Sequence, residues 1–252
     1  MNTALHRTGA TIAVAIGLIG AFGGLVRGAP RADAAPAATA VHGERIEADV
    51  DLIVDAAAEA MGSVTSVRFD VERMGEPVHI DPIESLAVDR IVGRFQTPGN
   101  ADAIVTVTID GELTTDLGAV ALGPDVWLSN PITGLFEPLP PGYNIDPTRF
   151  FDPAGGWQPL LAGLADRTLV GDGDTHHVQG TASAGDLHRV SAGLVAADGV
   201  VIDLWIHPYT ASVERIEFSV PTRDGVSDWT VVLTDYGVPF EIIAPVDRGD
   251  GS

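Results

Sequence analysis

The strongest constraint on this chain is a period of two. Val67, Phe69 and Val71 alternate with Ser66, Arg68, Asp70 and Glu72; Leu86 and Val88 alternate with Ala87 and Asp89. Val105, Val107 and Ile109 alternate with Thr106 and Thr108. Successive side chains on a strand point to opposite faces, so this pattern marks strands with one face buried. Val120 and Leu122 lead into Gly123-Pro124-Asp125 and then Val126 to Leu128, a hairpin by its turn residues. Further strands are expected over 177–182, 200–207, 213–220, 228–236 and 238–243, with turns at Asp224-Gly225 and Tyr236-Gly237. Sequential strands joined by tight turns make an antiparallel sheet, and about ten of them exclude a doubly wound fold.

Helical material is scarce. Leu52, Ile53, Ala56, Ala57, Ala60 and Met61 fall at helical spacing, with Asp49 and Asp51 at the start and Gly62 at the end. Residues 130–157 contain Pro131, Pro138, Pro140, Pro141, Pro147 and Pro153 and read as a long crossing loop. Short helical turns are expected at its end, over 146–151 and 157–164. The expected fold is therefore α+β: a large curved antiparallel sheet over a few helices. Its continuous apolar face exceeds what this Ala- and Gly-rich helical material covers, which implies a space between sheet and helices.

The N-terminus has the order of an export signal. Arg7 precedes the uncharged run 10–26, and Arg27, Arg31 and an Ala32-Asp33-Ala34 site follow. Residues 1–34 are read as a signal peptide or an uncleaved N-terminal membrane anchor. Residues 35–46 form an Ala/Pro-rich tether, 47–246 a single domain, and 247–252 a tail. Either reading of 1–34 takes the domain out of the cytoplasm, to the periplasm, cell envelope or outside. The net charge of −21 disfavours nucleic acid, whose affinity comes from neutralised phosphates. There is no cysteine, which removes disulfides, thiolate metal sites and a thiol nucleophile together. A mean hydropathy of +0.21 excludes an acidic disordered chain.

Catalytic chemistry is hard to place. Asp172-Gly173-Asp174 with His176-His177 gathers metal-ligand types, but adjacent strand residues face opposite ways, so the two imidazoles cannot converge. The bland reading is a polar turn entering a strand. No G-x-S-x-G, H-E-x-x-H, G-x-G-x-x-G or EF-hand loop is present. Neither enzyme activity nor a cofactor or metal is expected. Trp127, Trp157, Trp205 and Trp229 are spread over four elements and read as packing. Trp157, beside Gly155-Gly156 in the crossing loop, sits where a gate would.

Four stretches in order resemble the LppX/LprG-type lipoproteins of mycobacteria and their relatives. They are VDLIVDAAAEAMGSVTSVRFDVE; Gly93-Arg94-Phe95 with Ala103 to Ile109; DPTRFFDPAGGWQPLLAGLAD; and HHVQGTASA with VVIDLWIHPYTASVERIEFSV and TDYGVPFEIIAP. The resemblance implies a half-barrel sheet over helices, enclosing a hydrophobic cavity that holds acyl chains. It also implies a non-catalytic carrier of triacylated glycolipids, triacylglycerols or similar lipids across the cell envelope, beside a membrane surface and an inner-membrane lipid transporter. By resemblance, Val105, Val107 and Ile109 line the cavity. Alternation adds Phe69, Val71, Val120, Leu122, Leu204 and Ile206, and the facing helix surface would be Leu52, Ala56 and Ala60. The alternative is a structural or interaction module of the envelope whose core is filled by its own side chains. The family usually carries an acylated cysteine after its signal peptide. Without one, this chain is not a conventional lipoprotein and is either secreted or held by its N-terminal helix.

Overall fold

The computed structural model describes residues 49–143 and 146–245. The expected leader over 1–34, the tether over 35–46 and the tail over 247–252 lie outside the described residues.

Helix α1 spans Val50–Gly62. The Asp49 carboxylate caps it, accepting from the Asp51 and Leu52 amides at 3.0 and 3.4 Å. Its buried residues are Ile53, Val54, Ala57, Ala58 and Met61. This corrects the expected helix surface: Leu52 is 56% exposed, and Ala56 and Ala60 are only partly covered. The buried stripe is rotated by one residue, about 100° on the helix. The reason is twofold. Ile53, Val54 and Met61 bury more apolar area than a Leu–Ala–Ala stripe, and Asp51 and Asp55 must face the guanidinium of Arg167, at 3.4 and 2.8 Å.

The sheet is built from β1 (Ser66–Gly75), β2 (Leu86–Gln96), β3 (Asn100–Ile109), β4 (Leu113–Leu122), β5 (Asp125–Ser129) and β6 (Phe136–Pro138). After a 3₁₀ turn, Pro147–Phe151, and helix α2, Trp157–Ala162, come β7 (Ala165–Asp172) and β8 (His176–Ala182). Helix α3, Ala184–Val190, precedes β9 (Val200–Ile206), β10 (Val213–Pro221) and β11 (Val226–Thr234). Among the described residues the eleven strands form one antiparallel sheet in the order β6-β5-β4-β3-β2-β1-β11-β10-β9-β8-β7. It is two meanders joined where β1 meets β11, with Phe69 opposite Leu233 and Val71 opposite Val231. The first and last strands of that order do not pair, so the curved sheet stays open, an α+β half-barrel. Because β6 and β7 lie at opposite edges, the chain between them must cross the full width of the sheet. That crossing lays the 3₁₀ turn and α2 over the inner face.

The expected strand over 238–243 is not one. β11 already has β1 and β10 on its two sides, so no free edge is left for a following hairpin strand. The segment instead crosses the outer face. Phe240 donates its amide to Gln96 Oε1 at 2.9 Å, and its ring lies 5.7 and 5.6 Å from the guanidinium carbons of Arg68 and Arg94. Those arginines stand directly opposite each other on β1 and β2, and the ring face between them offsets their repulsion.

The phase of β4 also differs from expectation. Leu117, Ala119 and Ala121 stand opposite Val105, Ala103 and Ala101 and share their inner face. Val120 and Leu122 stand opposite Asp102 and Asn100, on the outer face. The run Ala119 to Leu122 is apolar at every position, so its alternation carries no phase, and pairing with β3 decides it.

Among the described residues, no helix is long and apolar enough to cross a membrane.

Candidate functional site

The inner face of the sheet and the helical layer form the core. Phe69, Val71, Val105, Val107, Leu204 and Ile206 all point inward and are at most 3% exposed; Ile109, at the end of β3, is half-buried. The layer is pinned to the sheet by aromatic contacts. Phe151 stacks on Phe95 with centroids 4.6 Å apart, and Phe150 lies 5.9 Å from Phe69.

Two apolar hollows remain inside this layer. The smaller, of about 10 Å³, lies between Ile91, Ala103 and Val105 on the sheet and Pro147, Phe150 and Leu194 above them. The larger, of about 20 Å³, lies between Val71, Phe218 and Trp229 on the sheet and Trp157, Leu187 and Val195. Ile91, Phe150, Val190 and Leu194 wall both, so the two are contiguous. Each has room for about one water-sized sphere. The space expected between sheet and helices is thus almost wholly filled by the protein's own side chains.

Three open depressions adjoin the hollows, one of about 540 Å³ sharing Phe218 and Trp229 with the larger. A groove of about 500 Å³ at the end of α1 is bordered by Phe95, Pro98, Phe150, Phe151 and Trp157. Phe150 and Trp157 therefore have the groove on one side and the larger hollow on the other. A polar cleft of about 450 Å³ meets the smaller hollow at Asp146 and Ala192 and carries Arg149, His188 and Arg189. Its charges are neutralised locally: Arg149 lies 3.4 Å from Asp146 and 3.7 Å from Asp152, and Arg189 pairs with Asp186. Asp146 also caps the 3₁₀ turn, accepting from the amide and hydroxyl of Thr148 at 3.0 and 2.7 Å.

Of the sequence-derived site residues, only Val71 and Val105 wall the hollows. Phe69 packs under the Phe150–Phe151 pair, and Val107, Leu204 and Ile206 lie elsewhere in the same core. Val120 and Leu122 are on the outer face, and Leu52, Ala56 and Ala60 are off the buried stripe of α1. Sequence reasoning missed Phe218 and Trp229, although both lie in strands it recognised. It missed Leu187 and Val190 because α3 went unread. A signal was present there, in Ser183 three residues before Asp186. The Ser183 hydroxyl accepts from the Asp186 amide at 3.2 Å and donates to its carboxylate at 2.6 Å.

The two histidines of β8 face opposite ways. His176 points inward, fully buried, with Nδ1 3.0 Å from Asp172. His177 is on the outer face, 2.6 Å from Asp203 and stacked on Trp205 with centroids 4.5 Å apart. The face of Trp205 also receives Arg215 at 4.7 Å.

An open antiparallel half-barrel with its inner face closed by a thin layer of short helices places the chain in the α+β half-barrel class of folds. This chain belongs to the LppX_LprAFG lipoprotein family, whose model matches residues 49–242. The structure is similar to that of LprF from Mycobacterium bovis, with 16% identity and a TM-score of 0.58 over 80% of this chain and 99% of that one. It is also similar to lipoprotein LppX of Mycobacterium tuberculosis, with 13% identity and a TM-score of 0.54 over 77% and 98% of the two chains. At such identities these likenesses speak to the fold. No curated protein matches the sequence. The sequence has no cysteine to carry the acyl anchor that the family's description implies.

Proposed function

We propose that this protein is a non-catalytic lipid carrier of the cell envelope, which takes acyl chains between its sheet and its helical layer. The observation that carries this reading is the pair of contiguous apolar hollows, separated from an open groove only by Phe150 and Trp157. Val105, Val71 and Phe69 would meet the chains first, with Val107, Ile109, Leu204 and Ile206 exposed to them as the layer lifts. The cargo would be a triacylated glycolipid, a triacylglycerol or a similar lipid, received from a membrane surface or an inner-membrane transporter. The domain would work outside the cytoplasm, secreted or held by its N-terminal segment.

Hollows this small mean that uptake requires the layer to move off the sheet. Keeping about 16 methylenes out of water at roughly 0.8 kcal/mol each is worth on the order of 13 kcal/mol, which holds an acyl chain in the protein against escape into water during transfer. The part that would have to move is the 3₁₀ turn with α2 and α3, short elements joined by proline- and glycine-containing loops.

The same small volume favours a second reading, a structural or interaction module with a self-filled core. Mass spectrometry of organic extracts from the protein purified from its own or a related host separates the two. A stoichiometric acylated species is the expected result. A folded protein that neither retains lipid nor takes it up from vesicles would transfer the assignment to the module.

A further inference from the structure

The hairpins at one end of the sheet present aliphatic side chains to solvent. The β1–β2, β3–β4, β5–β6 and β10–β11 reversals all lie at this end. Ile83, between β1 and β2, is 81% exposed; Leu113, at the start of β4, is 62% exposed; Ile132, between β5 and β6, is 92% exposed. Turns are ordinarily built from Gly, Pro, Asn, Asp and Ser, which supply their backbone conformations. The turns joining paired strands at the other end keep to small, polar or proline residues: Thr-Pro-Gly at 97–99, Gly-Pro at 123–124 and Gly-Asp-Thr at 173–175. Among those turns only 207–212 carries a large exposed side chain with an apolar body, Tyr209.

Hydrogen bonds fix the aliphatic tips. The Asp81 carboxylate, buried under the first, accepts from the Ser85 amide and hydroxyl at 3.0 and 2.8 Å and from the Leu86 amide at 2.8 Å. Asn130 Oδ1 accepts from the amides of Ile132 and Thr133 at 2.9 and 3.1 Å. The Asp110 amide donates to the Ser85 carbonyl at 2.9 Å and ties two neighbouring tips together. The isoleucines are thus held outward in preset turns, which lowers the entropy cost of burying them against a partner.

Two further relationships say what this end meets. Helix α1 starts here: Arg167, near the start of β7, contacts Asp51 and Asp55, and Ala165 of the same strand pairs with Thr181 at the end of β8. The uncharged run 10–26 is therefore joined through residues 27–48 to the end that carries the tips, which raises their effective concentration at a bilayer the run enters. In addition, α3 and residues 191–199 leave and rejoin the sheet at this end, with Ala182 opposite Val200. Val190, Ser191 and Leu194 of this flap wall both hollows, so lifting it opens them toward the tips. Charge narrows the surface: Glu84, Asp110, Glu112 and Asp224 stand exposed at these turns beside Arg223, and negative lipid headgroups would repel them.

We infer that this end of the half-barrel docks on a lipid bilayer, with Ile83 and Ile132 entering between the headgroups, and that the carboxylates beside them restrict it to a surface without net negative charge. This rests on the carrier reading above and names the surface at which the cargo is exchanged.

The chain has no cysteine, so a single thiol probe reports one position. Ile83→Cys, Ile132→Cys and Tyr209→Cys variants of the full chain, each labelled with nitrobenzoxadiazole, are mixed with phosphatidylcholine vesicles. Probes at 83 and 132 should shift to shorter wavelength and be quenched by spin-labelled acyl chains, while the probe at 209 stays in water. Replacing part of the lipid by phosphatidylglycerol should weaken both responses, and added salt should restore them. In unlabelled protein, Ile83→Asp combined with Ile132→Asp should slow lipid transfer between vesicles by about tenfold or more and leave the melting temperature unchanged. Tip probes that stay in water, or the same shift at all three positions, would overturn the docking while leaving the carrier reading intact. A shift that needs no vesicles and grows with protein concentration would overturn it in favour of self-association. An equal response to neutral and anionic vesicles would overturn the charge restriction. Tips that insert in a protein carrying no lipid would support the docking and remove the carrier reading.

Discussion

Val105 on β3 stands directly opposite Ile91 on β2, and both side chains close the floor of the smaller hollow. Val105 is fully buried and Ile91 is 3% exposed, so the floor has no slack. A phenyl ring at Val105 is larger than the hollow of about 10 Å³ above it. Val105→Phe should cost about 1–3 kcal/mol in urea unfolding, the usual penalty of overpacking. It should also reduce the lipid carried per protein. A folded variant with undiminished lipid would place the cargo away from this strand.

Arg167 ties the helical layer together. Its side chain is 12% exposed; it contacts Asp55 of α1 at 2.8 Å and donates to the Ala162 and Leu164 carbonyls at 2.8 and 3.0 Å. Arg167→Met leaves carbonyls at the end of α2 without their donor and should cost about 2–3 kcal/mol. Asp55, 64% exposed, contributes a screened surface pair, so Asp55→Ala should cost less than about 1 kcal/mol. Denaturant midpoints of the two variants check the ranking, and the reverse order would contradict it.

Tyr236 sets an alkaline limit. Its phenol donates to the Val213 carbonyl at 2.5 Å, and burial, reinforced by the nearby Glu214 carboxylate, pushes its pKa well above the ordinary value. The unfolded chain ionises this phenol near pH 10, the folded chain much later. Its contribution is therefore complete below about pH 10 and is lost as the pH rises further, because ionisation favours the unfolded state. Melting temperatures should fall above that pH more steeply than in Tyr236→Phe, and an identical decline in both proteins would refute the assignment.

Ala192 follows α3 with φ of 53°, a left-handed conformation that an L side chain adopts at a cost, and it borders both the cleft and the smaller hollow. Ala192→Gly removes the Cβ conflict but raises the chain entropy of the unfolded state, which offsets part of the gain. The net gain should be about 0.5–1 kcal/mol. Calorimetry measures it directly; a loss of stability would mean that the methyl group's packing outweighs the strain.

What was legible before the structure follows from which signals are local. The strands holding Val67–Val71, Val105–Ile109 and Val213–Val220 were readable because a half-buried strand writes its burial into alternate residues. β7 was not: as a bulged edge strand it is nowhere fully buried, so its sequence carries no period. The apolar stripe of α1 was found but turned by one residue, because its orientation depends on Arg167, more than a hundred positions away. The outward phase of Val120 and Leu122 depends on the register with β3. The hollows depend on α3 and on the 3₁₀ turn, which reach the sheet from different parts of the chain.

By itself the sequence determined an antiparallel sheet with one apolar face, a single sizeable leading helix, a proline-rich crossing and a cysteine-free acidic surface. Each of these is written in the spacing or chemistry of neighbouring residues. Only the tertiary structure decided that β1 and β11 join two meanders into one half-barrel, that the crossing lays Phe150 and Trp157 over its inner face, and that the space there is nearly closed. Those outcomes are set by long-range pairing and by side chains competing for the same volume, and neither leaves a period in the sequence.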